Sequence, residues 1–317
     1  MVTGLSLGVL DLVPKIGEAS YEQALQEAAA LAVSAEKWGY ERYWAAEHHD
    51  LKDLACASPE VLLAHIGAKT KRIRLGTGAL LLPHYSPLKV AESFRLLAAL
   101  YPGRIDLGIG RAPGGSAHAS MALSGNFLQN VADMPKKLRA LIKLLEDRYM
   151  YEDRLVQARP LPTVQPNVWM LGTNSKSAGF AAEYGTGYVF GQFMSERDGA
   201  EVLQTYREQF KPSALLDKPR AMLSIGVICA RTEAKARKLL EDAKLPGPER
   251  AAEQGEPEEH PDPQRRLISG TPEQVRERLV RMAESTGCRE FLIFCPIQDY
   301  RHRLESYRLL AAGGWKG

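Results

Sequence analysis

No stretch of this chain approaches the roughly 20 consecutive apolar residues that a membrane-spanning helix requires, although 45% of its 317 residues are hydrophobic. That apolar content has to be gathered into a folded core, and a chain of this length can bury one without disulfides or metals. Cysteine is scarce: Cys56, Cys229, Cys288 and Cys295 form no CxxC pair, and no histidine stands at zinc-finger spacing from them. The common structural zinc motifs are thereby excluded, and the four thiols are expected to be reduced and packed. Charge of one sign is also missing, since 41 basic against 38 acidic side chains leave a formal net charge of +3. Such a balance offers no overall field for nucleic acid or a membrane surface, so small-molecule chemistry is the better expectation. The opening MVTGLSLGVLDLVP has no basic start and soon reads as a strand, which makes the cytoplasm the expected location. Internal repeats and coiled-coil heptads are absent.

What is present is alternation. From Ile73 to Arg111 the chain reads as strand, loop, helix and strand in succession. Ile73 to Leu80 is an apolar run of strand formers that must end before Pro83 and Pro87. Leu88 to Leu100 repeats apolar residues at three and four positions, with Pro102-Gly103 as its stop. Ile105 to Ile109 is a second buried strand, ending in Gly110-Arg111. Further strands are expected at Leu5 to Leu10, Arg42 to Ala46, Val168 to Leu171, Tyr188 to Phe190, Leu223 to Ala230 and Phe291 to Cys295. Between them lie helices at Tyr21 to Trp38, Pro59 to Thr70, Met134 to Glu146, Ser177 to Tyr184, Asp198 to Phe210 and Pro272 to Ser285. Eight strands alternating with helices predict an α/β protein, a (β/α)8 TIM barrel, in one domain over residues 1–317. Leu25, Ala28, Ala32, Ala35 and Trp38 would form the packed face of the first helix. Two long connections, Ala112 to Asp133 and Leu245 to Leu267, fall between a strand and its helix. Both are therefore insertions on the face where barrel active sites sit. The second is rich in Pro, Glu and Arg, and it is expected to act as a movable cover.

Three clusters carry chemistry. Glu47-His48-His49 directly follows the second strand, and an imidazole with an ordinary pKa near 6.5 can pass protons at neutral pH. Arg111 follows Gly108-Ile109-Gly110. A GxGxxG fingerprint would need its third glycine at Pro113, so a dinucleotide loop is excluded there, while a guanidinium after a glycine still suits an anion. Gly172-Thr173-Asn174-Ser175-Lys176-Ser177 stands where the fifth strand turns into a helix, so its side chains can cap that helix and its free amides can face an anion. His84 and Tyr85 read as a packed loop.

The strand ending in Glu47-His48-His49, the Gly76-Thr77 to Leu82-Pro83 strand, the Gly103-Arg104 to Gly110-Arg111 strand and the Thr173 to Ser177 helix entry together resemble the luciferase-like flavin monooxygenases over nearly the whole chain. The resemblance implies a barrel that binds reduced FMN (FMNH2). It implies a dioxygen-activating reaction through a C4a-peroxyflavin on a small organic substrate, in the class of monooxygenases acting on paired donors. It implies His48 as the base beside the flavin, with His49 and Glu47 as further catalytic candidates. Arg111, Gly110, Gly172, Thr173, Asn174, Ser175 and Ser177 would lie at the FMN phosphate, and Gly78-Ala79 would form a cis peptide under the isoalloxazine ring. The family's acidic residue at the phosphate corner is Thr173 here, and the luciferase cysteine of the fourth strand is Gly110. The implied partners are a separate flavin reductase and a second copy of the chain, in a homodimer or higher homo-oligomer joined through helices near the second and third strands. Two other readings stay open: an oxidoreductase of the same fold that uses F420, and a non-catalytic flavin-binding relative, whose mark would be loss of the histidine pair.

Overall fold

The computed structural model describes residues 4–243, 266–313 and 315. Eight parallel strands close a ring: β1 Ser6–Asp11, β2 Arg42–Ala45, β3 Arg74–Thr77, β4 Ile105–Gly110, β5 Asn167–Gly172, β6 Gly187–Gly191, β7 Ala221–Cys229 and β8 Glu290–Phe294. Each pairs with the next in chain order, and β8 returns to β1 with Ser6 opposite Glu290 and Leu10 opposite Phe294. This is the expected (β/α)8 TIM barrel. Among the described residues, no helix is long and apolar enough to cross a membrane.

Local signals set most of the boundaries. The helix Tyr21–Trp38 begins where the Ser20 hydroxyl accepts from the Gln23 amide and ends at Gly39 in the left-handed region, as its sequence leads one to expect. Pro272–Thr286 opens on a capping box between Thr271 and Gln274. Elsewhere the structure departs from expectation for identifiable reasons. The connection from Ala112 to Asp133 is not plain loop: it holds the helices Ala117–Ser124 and Phe127–Ala132, capped by Ser116 and Asn126. The helix expected from Ser177 starts at Ser175, because Asn174 takes the capping position. A C-terminal helix, Tyr300–Ala311, was not evident in the periodicity and is capped by Asp299. The insertion from Leu245 ends in structure of its own, since Leu267–Gly270 is a strand that pairs with the projecting half of β7. Residues 245–265, cast above as a movable cover, lie outside the described residues.

The expected strand from Ile73 to Leu80 is broken. From Gly76 to Leu80 the chain takes four steps while β4 takes three, Gly76 standing opposite Asp106 and Leu80 opposite Ile109. The surplus residue falls at Gly78-Ala79, whose peptide is cis as expected. The Thr77 hydroxyl substitutes for the interrupted ladder, accepting from Gly108 N at 3.1 Å and donating to Gly108 O at 2.8 Å. A side chain at 108 could not be accommodated, because its Cβ would stand 1.9 Å from the Thr77 carbonyl oxygen.

Inside the ring, large and small residues complement one another. Trp44 and Trp169 fill the lumen with Leu10, Val189, Phe193, Met222, Leu292 and Phe294. A Cβ on Gly76 would meet the Trp44 ring at 2.5 Å and one on Gly187 the Trp169 ring at 2.3 Å. Below the tryptophans, the amino end is plugged by charge. Asp106 is wholly buried and accepts from Arg42 at 3.0 Å, Trp44 Nε1 at 3.1 Å, Asn167 at 3.0 Å and Arg74 at 2.6 Å. The four cysteines are buried and unpaired with one another, in line with their expected packing role.

Burial works to raise the Asp106 pKa, but the Arg42 and Arg74 guanidiniums and the bonds from Arg74 and Asn167 hold it below the ordinary value. A group depressed in the folded state lends stability that is present above its unfolded pKa, about 3.9, and is lost as pH falls through the folded value. Asp106→Asn should therefore cost about 3 to 5 kcal/mol at neutral pH, since it leaves buried cations without their partner. Denaturant titrations across the acid range should show the gap between variant and wild type closing below about pH 4.

Candidate active site

Each candidate cluster follows the carboxyl end of a strand, so the ring gathers them at one mouth. Beyond β2 the chain runs through Ala46 to Glu47, an acid whose side chain is fully buried. Both its oxygens are engaged. Oε2 accepts from the Leu81 amide at 3.1 Å, and Oε1 accepts from the Tyr85 hydroxyl at 2.8 Å and lies 2.8 Å from His49 Nε2. Glu47 thus bolts the histidine turn to the segment that emerges from the broken third strand. A carboxylate enclosed and engaged on both oxygens is placed to hold its neighbours. His48 and His49 are half-buried at the mouth. The His48 amide donates to Cys56 O and the His49 amide to Gly114 O, each at 2.9 Å.

His84 and Tyr85 form a packed loop, as expected. The His84 ring stacks on Phe127 with centroids 5.0 Å apart, and its nitrogens lie 2.9 Å from Ser124 Oγ and 3.0 Å from Pro113 O. Burial pushes its pKa down, against the pull of the Pro113 carbonyl and the Glu47 charge. One imidazole therefore fastens both short helices and the loop after Arg111 to the rim. That loop is close-fitted: a Cβ on Gly115 would lie 2.2 Å from the His49 carbonyl oxygen.

The second pair of clusters meets across β4 and β5. Ile109 stands opposite Met170, so the continuing chains bring Arg111 beside the turn that begins at Gly172. A tyrosine joins them. The Tyr188 hydroxyl lies 3.0 Å from Ser177 Oγ and 3.3 Å from the Asn174 carbonyl oxygen. Burial raises the Tyr188 pKa, while the Ser177 bond and the Arg111 charge oppose that rise; Arg111 is thus within electrostatic reach of the same corner. Asn174 caps the helix Ser175–Glu183 by accepting from Ser177 N at 3.1 Å, and Gly172 leaves the space in which the Ser177 hydroxyl sits. The roles within the expected cluster therefore divide. Asn174 and the buried Ser177 hydroxyl are spent on building the turn, whereas Ser175 and Lys176 are exposed at the helix start, where first-turn amides have no intrahelical acceptor. The Thr173 carbonyl is tied back by Ser195 Oγ at 3.0 Å.

The residues missed from sequence are Tyr85 as a partner of Glu47, Tyr188 and Ser195. A tyrosine in a short buried strand was the available signal for Tyr188, since a buried phenol needs a polar partner. A cleft of about 410 Å³ lined by Trp38, Tyr40 and Trp315 lies at the amino end of the barrel, opposite the mouth, and contributes nothing to this site.

The donor set fits a flavin phosphate. It combines the Arg111 guanidinium, the Ser175 and Lys176 amides and a polar, uncharged Thr173, all at the head of a helix whose dipole favours anions.

Relatives carry the same architecture. The chain is 35% identical to an N-acetyl-S-alkylcysteine monooxygenase of Bacillus subtilis, with 97% of each chain covered. It is 34% identical to a luciferase-like monooxygenase of Escherichia coli, with 96% of each covered. The crystal structure of apo-MsnO8 superposes with a TM-score of 0.85 at 36% identity, covering 98% of both chains. The luciferase-like monooxygenase profile matches residues 6–290, nearly the whole barrel, and the chain belongs to that family.

Proposed function

We propose that this protein is the oxygenating component of a two-component flavin monooxygenase, taking reduced FMN from a separate reductase and using it with dioxygen to oxygenate a small organic substrate. The observation that carries the reading is the corner where Arg111 and the Asn174-capped helix start converge from adjacent strands. Two anion-seeking features far apart in sequence meet there, and a phosphate is the group they suit. Bound reduced flavin would supply the electrons that activate dioxygen.

The chain's own residues would do the rest. Arg111 and the Ser175 and Lys176 amides hold the phosphate, while Gly172, Thr173, Asn174 and Ser177 shape the turn that presents those amides. Gly78, Ala79 and Gly110 line the cofactor side of the mouth, where small residues allow a flat ring to approach the backbone. His48 holds or moves a proton beside the reacting atoms, and His49 is the second candidate. The buried aromatic floor of Trp44, Trp169, Phe193 and Phe294 keeps water from beneath the site. Association into a homodimer is part of the reading. It is supported by Val61, Leu96 and Leu100, which are 66%, 52% and 55% exposed on the helices Pro59–Lys69 and Pro87–Leu100. A cytoplasmic setting, where reductases supply reduced flavin, accords with it.

Removing the Arg111 fork should cost a charge-assisted contact of roughly 1.5 to 3 kcal/mol, or about tenfold to over a hundredfold in affinity. Arg111→Ala should lose that much affinity for reduced FMN in an anaerobic titration and none for reduced riboflavin, which has no phosphate. Equal FMN affinity in a folded variant would move the phosphate elsewhere, and preference for F420 over FMN would overturn the cofactor.

His48→Ala should bind reduced FMN as the wild type does. Its oxygenation of substrate should fall about 10²–10⁴-fold, the usual contribution of a placed acid or base. Labelled dioxygen traced into product measures this directly. An unimpaired rate would transfer the proton role to His49.

A further inference from the structure

Glu47 is an enclosed acid at the barrel mouth, and the proposed reaction makes no direct use of its carboxylate. Its surroundings nevertheless dictate where a nearby proton sits. The Leu81 amide can only donate, and it meets Oε2 at 3.1 Å. The Tyr85 hydroxyl donates to Oε1 at 2.8 Å. An ionised carboxylate accepts and never donates. The same Oε1 lies 2.8 Å from His49 Nε2, so that ring nitrogen must carry the hydrogen. In the neutral imidazole the lone pair is then left on Nδ1.

We infer that Glu47 is a positioning residue that fixes His49 in the Nε2–H tautomer, making Nδ1 the one ring nitrogen of His49 able to receive a proton at the flavin site. The reaction role rests on the monooxygenase reading; the tautomer does not. The ring has little freedom to escape this assignment. Its backbone amide is tied to Gly114 O at 2.9 Å, and its carbonyl is overlain by Gly115, where even a methyl group would collide. The His84 ring closes the other side, edge-on with centroids 6.0 Å apart. Glu60 and Cys56 lie within electrostatic reach of Glu47, and Lys89 and His49 act on Glu60. Leu81 and Tyr85 both donate to Glu47, and its ionised carboxylate presents only acceptor capacity to the His49 ring. The outcome is a buried acid that orients a histidine, and through its Leu81 bond it links that orientation to the broken third strand.

His84 supplies an internal control. Its Nε2 faces the Pro113 carbonyl at 3.0 Å, and a carbonyl can only accept, so it too should hold the Nε2–H tautomer, but without Glu47. The test is nitrogen-15 NMR of histidine-labelled full-length protein without flavin, with ring signals assigned by single histidine substitutions. In the wild type, neutral His49 and His84 should both read Nε2–H. In Glu47→Gln, His49 should lose that single tautomer and show Nδ1–H or a mixture while His84 keeps it. The kcat for oxygenation should fall about 10²-fold, the low end of what a placed acid or base contributes, with the affinity for reduced FMN unchanged. Tyr85→Phe retains the carboxylate and should keep His49 as Nε2–H. A wild-type His49 in the Nδ1–H form, or a Glu47→Gln protein that keeps pure Nε2–H, overturns the inference whatever flavin the protein binds. Should Glu47→Gln fail to fold, the wild-type and Tyr85→Phe spectra decide it.

Discussion

Between Gly76 and Leu80 the third strand carries one residue more than its neighbour spans from Asp106 to Ile109, and the mouth of the barrel is organised by that surplus. Thr77 closes the gap in the ladder with its hydroxyl, and the chain beyond it leaves on a shifted course. That course brings the Leu81 amide onto Glu47 and sets Tyr85 against the same carboxylate. Glu47 in turn holds His49, which holds Gly114 through its amide. A regular strand would carry Leu81 past Glu47 in a different register, and a buried acid without donors would be costly. The surplus residue and the acid therefore belong together.

The two ends of the barrel use buried charge differently. At the amino end Asp106, Arg42, Arg74 and Glu290 satisfy one another, with the Arg42 and Arg220 guanidiniums 5.5 Å and 5.1 Å from the Trp169 ring centroid. That network ties together β2, β3, β4 and β8 beneath a lumen filled by tryptophan and other apolar side chains. At the carboxyl end the candidate groups Glu47, His48, His49 and Arg111 follow their strands rather than sitting in them, while Asp11 closes β1 and pairs with Arg303. The ion-paired end anchors the strands, so the candidate side chains can occupy loop positions without losing their relative placement.

What could be read in the sequence depended on the range of the interaction. Alternating apolar segments disclosed the eight strands and the long helices, because a buried strand and an amphipathic helix each leave a periodic trace. The Asn174 cap belonged to a recognised cluster of capping residues, although its exact place moved the helix start by two positions. The third strand read as continuous because Ile73 and Leu75 before the glycines and Ala79 to Leu82 after them are apolar, with only Arg74 charged; a surplus residue is defined against a partner strand, and composition has no partner. Tyr300–Ala311 escaped notice because Arg301, His302, Arg303, Arg308 and Glu305 break up its apolar stripe. One of them, Arg303, is buried against Asp11 at 2.7 Å, and such long-range pairing leaves no local pattern. Tyr85 and Tyr188 were obscured likewise, since their partners lie 38 and 11 residues away.

At the proposed phosphate corner the turn is built by bonds of its own. Asn174 spends its side chain on Ser177 N, Ser177 spends its hydroxyl on Asn174 and Tyr188, and Ser195 secures the Thr173 carbonyl. These bonds tie the turn to itself, to β6 through Tyr188 and to the segment after β6 through Ser195. An anion arriving at the helix start therefore does not have to organise the loop, and less of its binding free energy goes into ordering it. The same division recurs at the histidine turn, where Glu47, Tyr85 and His84 make the internal bonds around His49. In both corners the residues that shape the loop are distinct from those facing the mouth. A substitution among the shaping residues should therefore disturb geometry, while one among the facing residues should remove chemistry from an intact frame.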